Sequence, residues 1–289
     1  MGKLIVLLAA LAVLLGIGVG PASAIKFGTA DGTGHPYVGL AVVHDDGFPV
    51  TYCSGSLIGP TRFLTAAHCV GRDPAGPVPD HVEIWFSPGP VLADPDYVAA
   101  LQASGGAPVS CNSSPLFDGY PCRGDSHGTP VPHPEWTGEF TLPNTHDVGL
   151  ALLDEARDGP YASVAPVGYL DSLVSKRGQQ DVEFTIVGYG FQSVRPVLST
   201  ARERLMGTVA LVSMNSSNTD GWNFRYSNNP GEGHGGSGGI CFGDSGGPVL
   251  RGDVIVGINS FVINENCQGS AYAFRTDTQL VHDFIANPS

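Results

Sequence analysis

Gly243-Asp244-Ser245-Gly246-Gly247-Pro248, with Cys241 two residues ahead, is the stretch on which the reading of this chain turns. Small and turn-forming residues flank one hydroxyl and leave backbone N–H groups accessible. A polar turn before the apolar run from Pro248 would explain the glycines alone. Six specified residues in a row, however, arise by chance only about once in ten thousand, even in a glycine-rich chain.

Two segments upstream carry matching chemistry. Leu64-Thr65-Ala66-Ala67-His68-Cys69 ends a strand and presents one histidine beside a cysteine. Asp147 heads the almost wholly apolar run Val148-Gly149-Leu150-Ala151-Leu152-Leu153. A carboxylate placed there must find a donor or cost several kcal/mol. Taken singly, His68 reads as a structural histidine and Asp147 as a turn residue at a strand start.

The rest of the chain reads as short strands. Candidates are 37–44, 55–58, 62–65, 81–86, 148–153, 182–189, 208–213, 248–251 and 254–261, β-branched or aromatic and punctuated by Gly, Pro, Asn and Asp. Many short strands with turn signals imply a sandwich or barrel. Only the end reads as helix: Asp277 or Thr278 could cap it, and Leu280, Val281, Phe284 and Ile285 share one face. Residues 87–135, rich in Pro, Gly and Ser, and 215–239, rich in Asn and Gly, read as long loops.

Composition agrees. The 289 residues are 42% hydrophobic, enough for a sizeable core, and include 40 glycines and 23 prolines. Charged residues are only 14%, and the formal net charge of -13 argues against nucleic acid or an anionic membrane surface as partner. Lys3, the apolar run from Leu4 to Gly20 and the small residues Ala22-Ser23-Ala24 form an export signal with an A-x-A cleavage site, so residues 1–24 are expected to be removed and the mature chain to begin at Ile25. No later segment approaches a spanning length. Six cysteines, at 53, 69, 111, 122, 241 and 267, suit a disulfide framework in an exported protein, with 15 possible pairings. No C-x-x-C or H-E-x-x-H supports a metal, and no cofactor is expected.

Together the three segments resemble the chymotrypsin-like (trypsin-fold) serine peptidases, in the chain order His, Asp, Ser. Four further segments extend the resemblance over nearly the whole mature chain. Ile25-Lys26-Phe27-Gly28 is similar to the family's mature amino terminus, and Cys53-Ser54-Gly55-Ser56-Leu57-Ile58 to the strand before the histidine. His133-Pro134-Glu135-Trp136 is similar to the segment leading to the aspartate, and Val256-Gly257-Ile258-Asn259-Ser260-Phe261 to the substrate-binding strand. An export signal running straight into Ile25 suggests a secreted bacterial member.

The resemblance implies an all-β fold of two packed six-stranded antiparallel β-barrels with a C-terminal helix and the site between the barrels. It implies a catalytic triad of His68, Asp147 and Ser245, and an oxyanion hole from the N–H groups of Gly243 and Ser245. It implies the bridges Cys53–Cys69 and Cys241–Cys267, which leaves Cys111–Cys122 within the 87–135 insertion. The insertion either leans over the non-prime side of the cleft or is a stabilising excursion. His146 adjoins Asp147 but should face away from it on a strand. Asn112 and Asn215 head glycosylation-type triplets.

Specificity and activation are implied likewise. The aspartate that family members cutting after basic residues carry six positions before the serine is Gly239 here, followed by Ile240. Ser260, Phe261 and Val262 would bind substrate backbone, with Val262 narrowing the pocket and Ser270, or else Gly269, opposite. Small or medium apolar residues are therefore expected before the cut, with Glu265 keeping a basic preference open. The Ile25 amine would pair with Asp244 on activation. Expected partners are polypeptide substrates and protein protease inhibitors, and the chain is expected to be a monomer. Rival readings are a catalytically silent binding protein of the same fold and a triad-based esterase.

Overall fold

A computed structural model describes residues 25–74, 76–173, 182–194, 199–229 and 236–288; the expected export signal lies outside these. Twelve strands build two closed, antiparallel, six-stranded barrels. The first uses β1 (Val38–Asp45), β2 (Phe48–Gly59), β3 (Arg62–Thr65), β4 (His81–Trp85), β5 (Ser126–Pro132) and β6 (Gly149–Leu153), in the order β1-β2-β3-β6-β5-β4 with β4 returning to β1. The second uses β7 (Glu183–Gly188), β8 (Leu205–Ser213), β9 (Asn223–Ser227), β10 (Pro248–Arg251), β11 (Val254–Val262) and β12 (Ser270–Arg275). Its ring runs β7-β8-β9-β12-β11-β10 and closes on β7. Two-residue strands at Thr29–Ala30 and Ser163–Val164 add to β8 and β11.

Closure removes sheet edges, so each strand can turn one face to a packed interior. Leu40, Phe63, Leu64, Ile84 and Leu150 fill the first barrel, and their cluster continues through Val187, Ile258 and Phe274 of the second. Phe184, Ile186, Val209, Phe224, Val249 and Val256 fill the second. Arg204, only 1% exposed, crosses the seam. Its guanidinium donates to the Asp31 carboxylate at 2.8 Å, to the Gly32 carbonyl at 2.7 Å and to the Phe86 carbonyl at 3.1 Å.

Two strands, β5 and β9, lie where the sequence reads as loops, and a third, β12, is not among the expected strands. β5 contains Pro130 and Pro132, which cannot donate to a ladder; β4 pairs β5 only as far as Gly128, so both prolines sit where β5 has one neighbour. β9 lies inside the Asn- and Gly-rich stretch, and β12 follows the turn after Cys267. The 87–135 insertion also holds a helix, α2 (Pro95–Ala103), after the one-turn α1 (Ala67–Val70). Asp94 caps α2 by accepting from Tyr97 N at 2.8 Å, and Pro95 suits its first turn. The terminal helix α3 (Gln279–Ala286) is capped by Thr278; Asp277 instead accepts from Leu170 N and Arg275. Among the described residues no helix is long and apolar enough to cross a membrane. The bridges Cys53–Cys69, Cys111–Cys122 and Cys241–Cys267 all form.

Candidate active site

His68 sits on α1, the turn that follows β3, and the Cys53–Cys69 bridge ties that turn to β2. Asp147 precedes β6 and is fully buried. Its carboxylate accepts from His68 Nδ1 at 2.9 Å and from the His68 backbone N–H at 2.9 Å, so the donor that burial demands is the histidine itself. The Ser260 hydroxyl adds a third donor at 2.5 Å. His146 is turned away at φ 51°, stacked on His133 and paired with Glu135 at 3.1 Å.

Ser245 is brought to the same place by its neighbours. Its carbonyl accepts from Ser54 N on β2, and Gly246 N donates to Asn259, the residue before Ser260. A Cβ on Gly246 would lie 2.1 Å from Thr65 Oγ1 and 2.7 Å from Ala66 N, so this loop packs directly under the His68 turn. Among the described residues the Ser245 hydroxyl has no hydrogen-bond partner, so the Oγ–Nε2 contact of a closed triad is not made here; such contacts commonly tighten only with substrate. The loop's N–H groups divide in a telling way. Asp244, Gly246 and Gly247 all donate within the protein, whereas Gly243 and Ser245 donate to no described residue. Gly243 has φ 92°, and a Cβ there would meet the Tyr52 ring at 2.4 Å, so only glycine fits.

Charge follows geometry. Burial disfavours the His68 imidazolium, but the Asp147 charge and hydrogen bond outweigh it and raise the pKa above the usual histidine value. For Asp147 burial pulls upward, and the charge of His68 with the hydrogen bonds from His68 and Ser260 holds the carboxyl below its usual range. Asp244, fully buried, has only the N–H groups of Cys241 and Gly190 on its oxygens, and burial pushes it up to about 7. It has no cationic partner among the described residues. Ile25 is fully buried, and Lys26 pairs with Gly239 through two backbone hydrogen bonds, five residues from Asp244.

The expected pocket residues separate into two groups. Val262 on β11 faces Ala271 of β12, and both join the apolar cluster that holds Ile240. Ser270 is therefore not the opposite wall. Strand alternation puts it on the other sheet face, where it accepts from Arg225 Nε at 2.9 Å. The sequence misplaced the wall by one residue because β12 itself was not legible. Gly239 lies tight against Asn228, and Glu265 is exposed. Phe261 stacks on Tyr272 and, through Phe140, reaches His68. Ser260, expected to act through its backbone, also gives its side chain to Asp147.

Two supports went unread in the sequence. The Ser54 hydroxyl donates to the Gly243 carbonyl at 2.8 Å while its N–H holds Ser245, gripping the loop at both ends. Tyr52 walls Gly243. Position beside Cys53 was their only signal. The one close cluster of possible metal ligands among the described residues, Cys53, His68 and Cys69, has both sulfurs tied in a disulfide.

Comparison with known proteins places the architecture in a class. The family model described as Trypsin matches residues 126–285, more than half the chain, and the chain belongs to that family. Among solved structures it is similar to HL collagenase, with TM-score 0.60 and 17% identity over 91% of this chain and 96% of that one. It is also similar to the scabies mite inactivated protease paralogue S-D1, with TM-score 0.57 and 12% identity over 92% and 97%. A mutant of human heparin binding protein follows, with TM-score 0.54 and 17% identity over 92% and 97%. No curated protein sequence matches.

Proposed function

We propose that this chain is a secreted serine endopeptidase, with Ser245 as nucleophile, His68 as general base and acid, and Asp147 orienting the imidazole. The observation that carries it is the pair of unengaged N–H groups at Gly243 and Ser245, beside a histidine already held by a buried carboxylate. A serine hydroxyl is a weak nucleophile until a base takes its proton. His68 removes it as Oγ attacks the peptide carbonyl, then returns it to the leaving amine, and water repeats the cycle on the acyl-enzyme. Two free N–H donors suit the oxyanion of each tetrahedral intermediate, and each is worth about 3 to 4 kcal/mol.

Substrate class follows from the walls. Val262, Ala271 and Ile240 present carbon, which favours small or medium apolar residues before the cut. Phe261 and Val262 on β11 suit pairing with a polypeptide backbone. Residues 1–24 serve as an export signal whose removal frees the Ile25 amine for Asp244, a buried carboxylate without a cation among the described residues. Protein inhibitors would occupy the same cleft, and the enzyme works as a monomer. Three disulfides accord with an extracellular site of action.

A silent binding protein is the second reading, since one structural neighbour is an inactivated protease paralogue. Here all three triad positions are filled. Treating the secreted protein with a fluorophosphonate and mapping the adduct decides between them. A label on Ser245 is expected; no label on folded, mature protein removes the peptidase.

A further inference from the structure

The 87–135 insertion packs on the first barrel and supplies one of its strands, β5. Its part ahead of β5 lies against β1 and β2, held by Cys111 N on the Gly47 carbonyl and by the contact of His44 Nε2 with the Pro121 carbonyl at 3.0 Å, while the Cys111–Cys122 bridge closes the insertion on itself. Between it and the barrel runs a groove of about 340 Å³, with Val50 and Tyr52 on one side and Tyr97, Val98, Leu101 and Tyr120 on the other. No charged side chain lines it. Beside it Phe48 and Leu92 remain 38% and 78% exposed, so apolar surface continues beyond the groove to solvent.

Tyr52 links this groove to the chemistry. One edge of its ring abuts Gly243, where a Cβ would come within 2.4 Å, and the same residue lines the groove. It also precedes Cys53, bridged to Cys69 beside His68. The acyl half of a substrate lying along Ser260–Val262 occupies the Phe261 side of Ser245. The half beyond the scissile bond must then leave over Tyr52. We infer that α2 and Tyr52 form a specificity site for apolar side chains on the leaving-group side of a polypeptide substrate, within the first few residues after the cut. This rests on the peptidase reading above. A rigid, carbon-lined groove that is already folded gains from burying an apolar side chain without an ordering cost.

The test begins with mass-spectrometric cleavage of a peptide library by the mature protein, which supplies a cleavable core. Two quenched fluorescent peptides are then built on that core, differing only after the cut, one carrying Leu-Phe and the other Ala-Ser at the second and third positions. The ratio of their kcat/KM values is measured for the wild type, Leu101→Asp and Leu101→Met. A ratio does not depend on how much of a preparation is folded. About tenfold preference for Leu-Phe is expected in the wild type and Leu101→Met, falling to about twofold or less in Leu101→Asp. A wild-type ratio near one, or an undiminished ratio in Leu101→Asp, overturns the groove and leaves the peptidase standing. Cleavage of no library peptide, with Ser245 unlabelled by fluorophosphonate, overturns both.

Discussion

The Ser260 hydroxyl donates to Asp147 Oδ2 at 2.5 Å, on the carboxylate whose other contacts all go to His68. On the peptidase reading, Ser260 therefore positions the base through Asp147 as well as lying on the proposed substrate strand. Ser260→Ala removes a hydrogen bond to a charged group, worth about 1.5 to 3 kcal/mol. We expect kcat/KM to fall about tenfold or more. The acid limb of its pH profile should move to higher pH, because a less stabilised Asp147 holds the His68 proton more strongly. A merely structural serine would lower activity without moving that limb.

Ser245→Ala should abolish amide hydrolysis, with a loss on the order of 10⁶ in turnover. A thermal melt matching the wild type shows that the loss is chemical. Near-normal turnover of purified, folded mutant refutes the nucleophile assignment.

As the proposed general base, His68 would act only when neutral, and its pKa is raised by Asp147. The activity of the free enzyme should therefore rise with pH through a midpoint above the ordinary histidine value of 6.5. The stability linkage has the opposite sense: stabilisation from the His68–Asp147 pair is full below the unfolded histidine pKa and is lost as pH rises through the folded one. A midpoint for kcat/KM below 6 would contradict the pairing.

On the proposed activation, Asp244 should behave differently before and after the cut ahead of Ile25. Uncleaved, its carboxyl lies near 7 against an ordinary 3.8, so the folded state holds this proton more tightly. Stability then falls as pH rises between those values, by on the order of 4 kcal/mol at this site. Once the Ile25 amine pairs with it, the Asp244 pKa should drop and the amine's should rise. That stabilisation would fade in acid and again as pH passes the raised amine value. Between pH 5 and 7 the uncleaved protein should lose stability at this site while the mature protein stays level; a matching fall in the mature protein would sink the pairing.

Gly243→Ala puts a Cβ into the Tyr52 ring at a φ of 92°. The loop must shift, carrying one oxyanion donor with it. A fall of about 100-fold in kcat with little change in KM is expected, since the interaction belongs to the transition state.

What the sequence could tell was set by how local each signal was. His68, Asp147 and Ser245 stand in short motifs whose residues touch one another, and nine strands carried their own apolar runs. β5 hid behind Pro130 and Pro132, which read as loop until one sees that β4 stops short of them. β12 hid its register, so the residue expected opposite Val262 was Ser270, whereas Val262 faces Ala271. α2 was masked by the prolines and glycines around it. Tyr52 and Ser54 act across nearly 190 residues of chain, a distance no motif spans. The Ser260 hydroxyl could not be assigned before its rotamer was known.

Arg204 has a consequence for how this molecule comes apart. Its charge is buried, and its partners lie on the amino-terminal arm at Asp31 and Gly32 and beside the first barrel at Phe86, while its own backbone leads into β8 of the second. Deleting one partner while the seam stays packed, as in Asp31→Ala, would leave that charge buried and unpaired, at a cost of about 3 to 5 kcal/mol. The barrels are thus coupled halves of one melting unit rather than two modules joined by a linker.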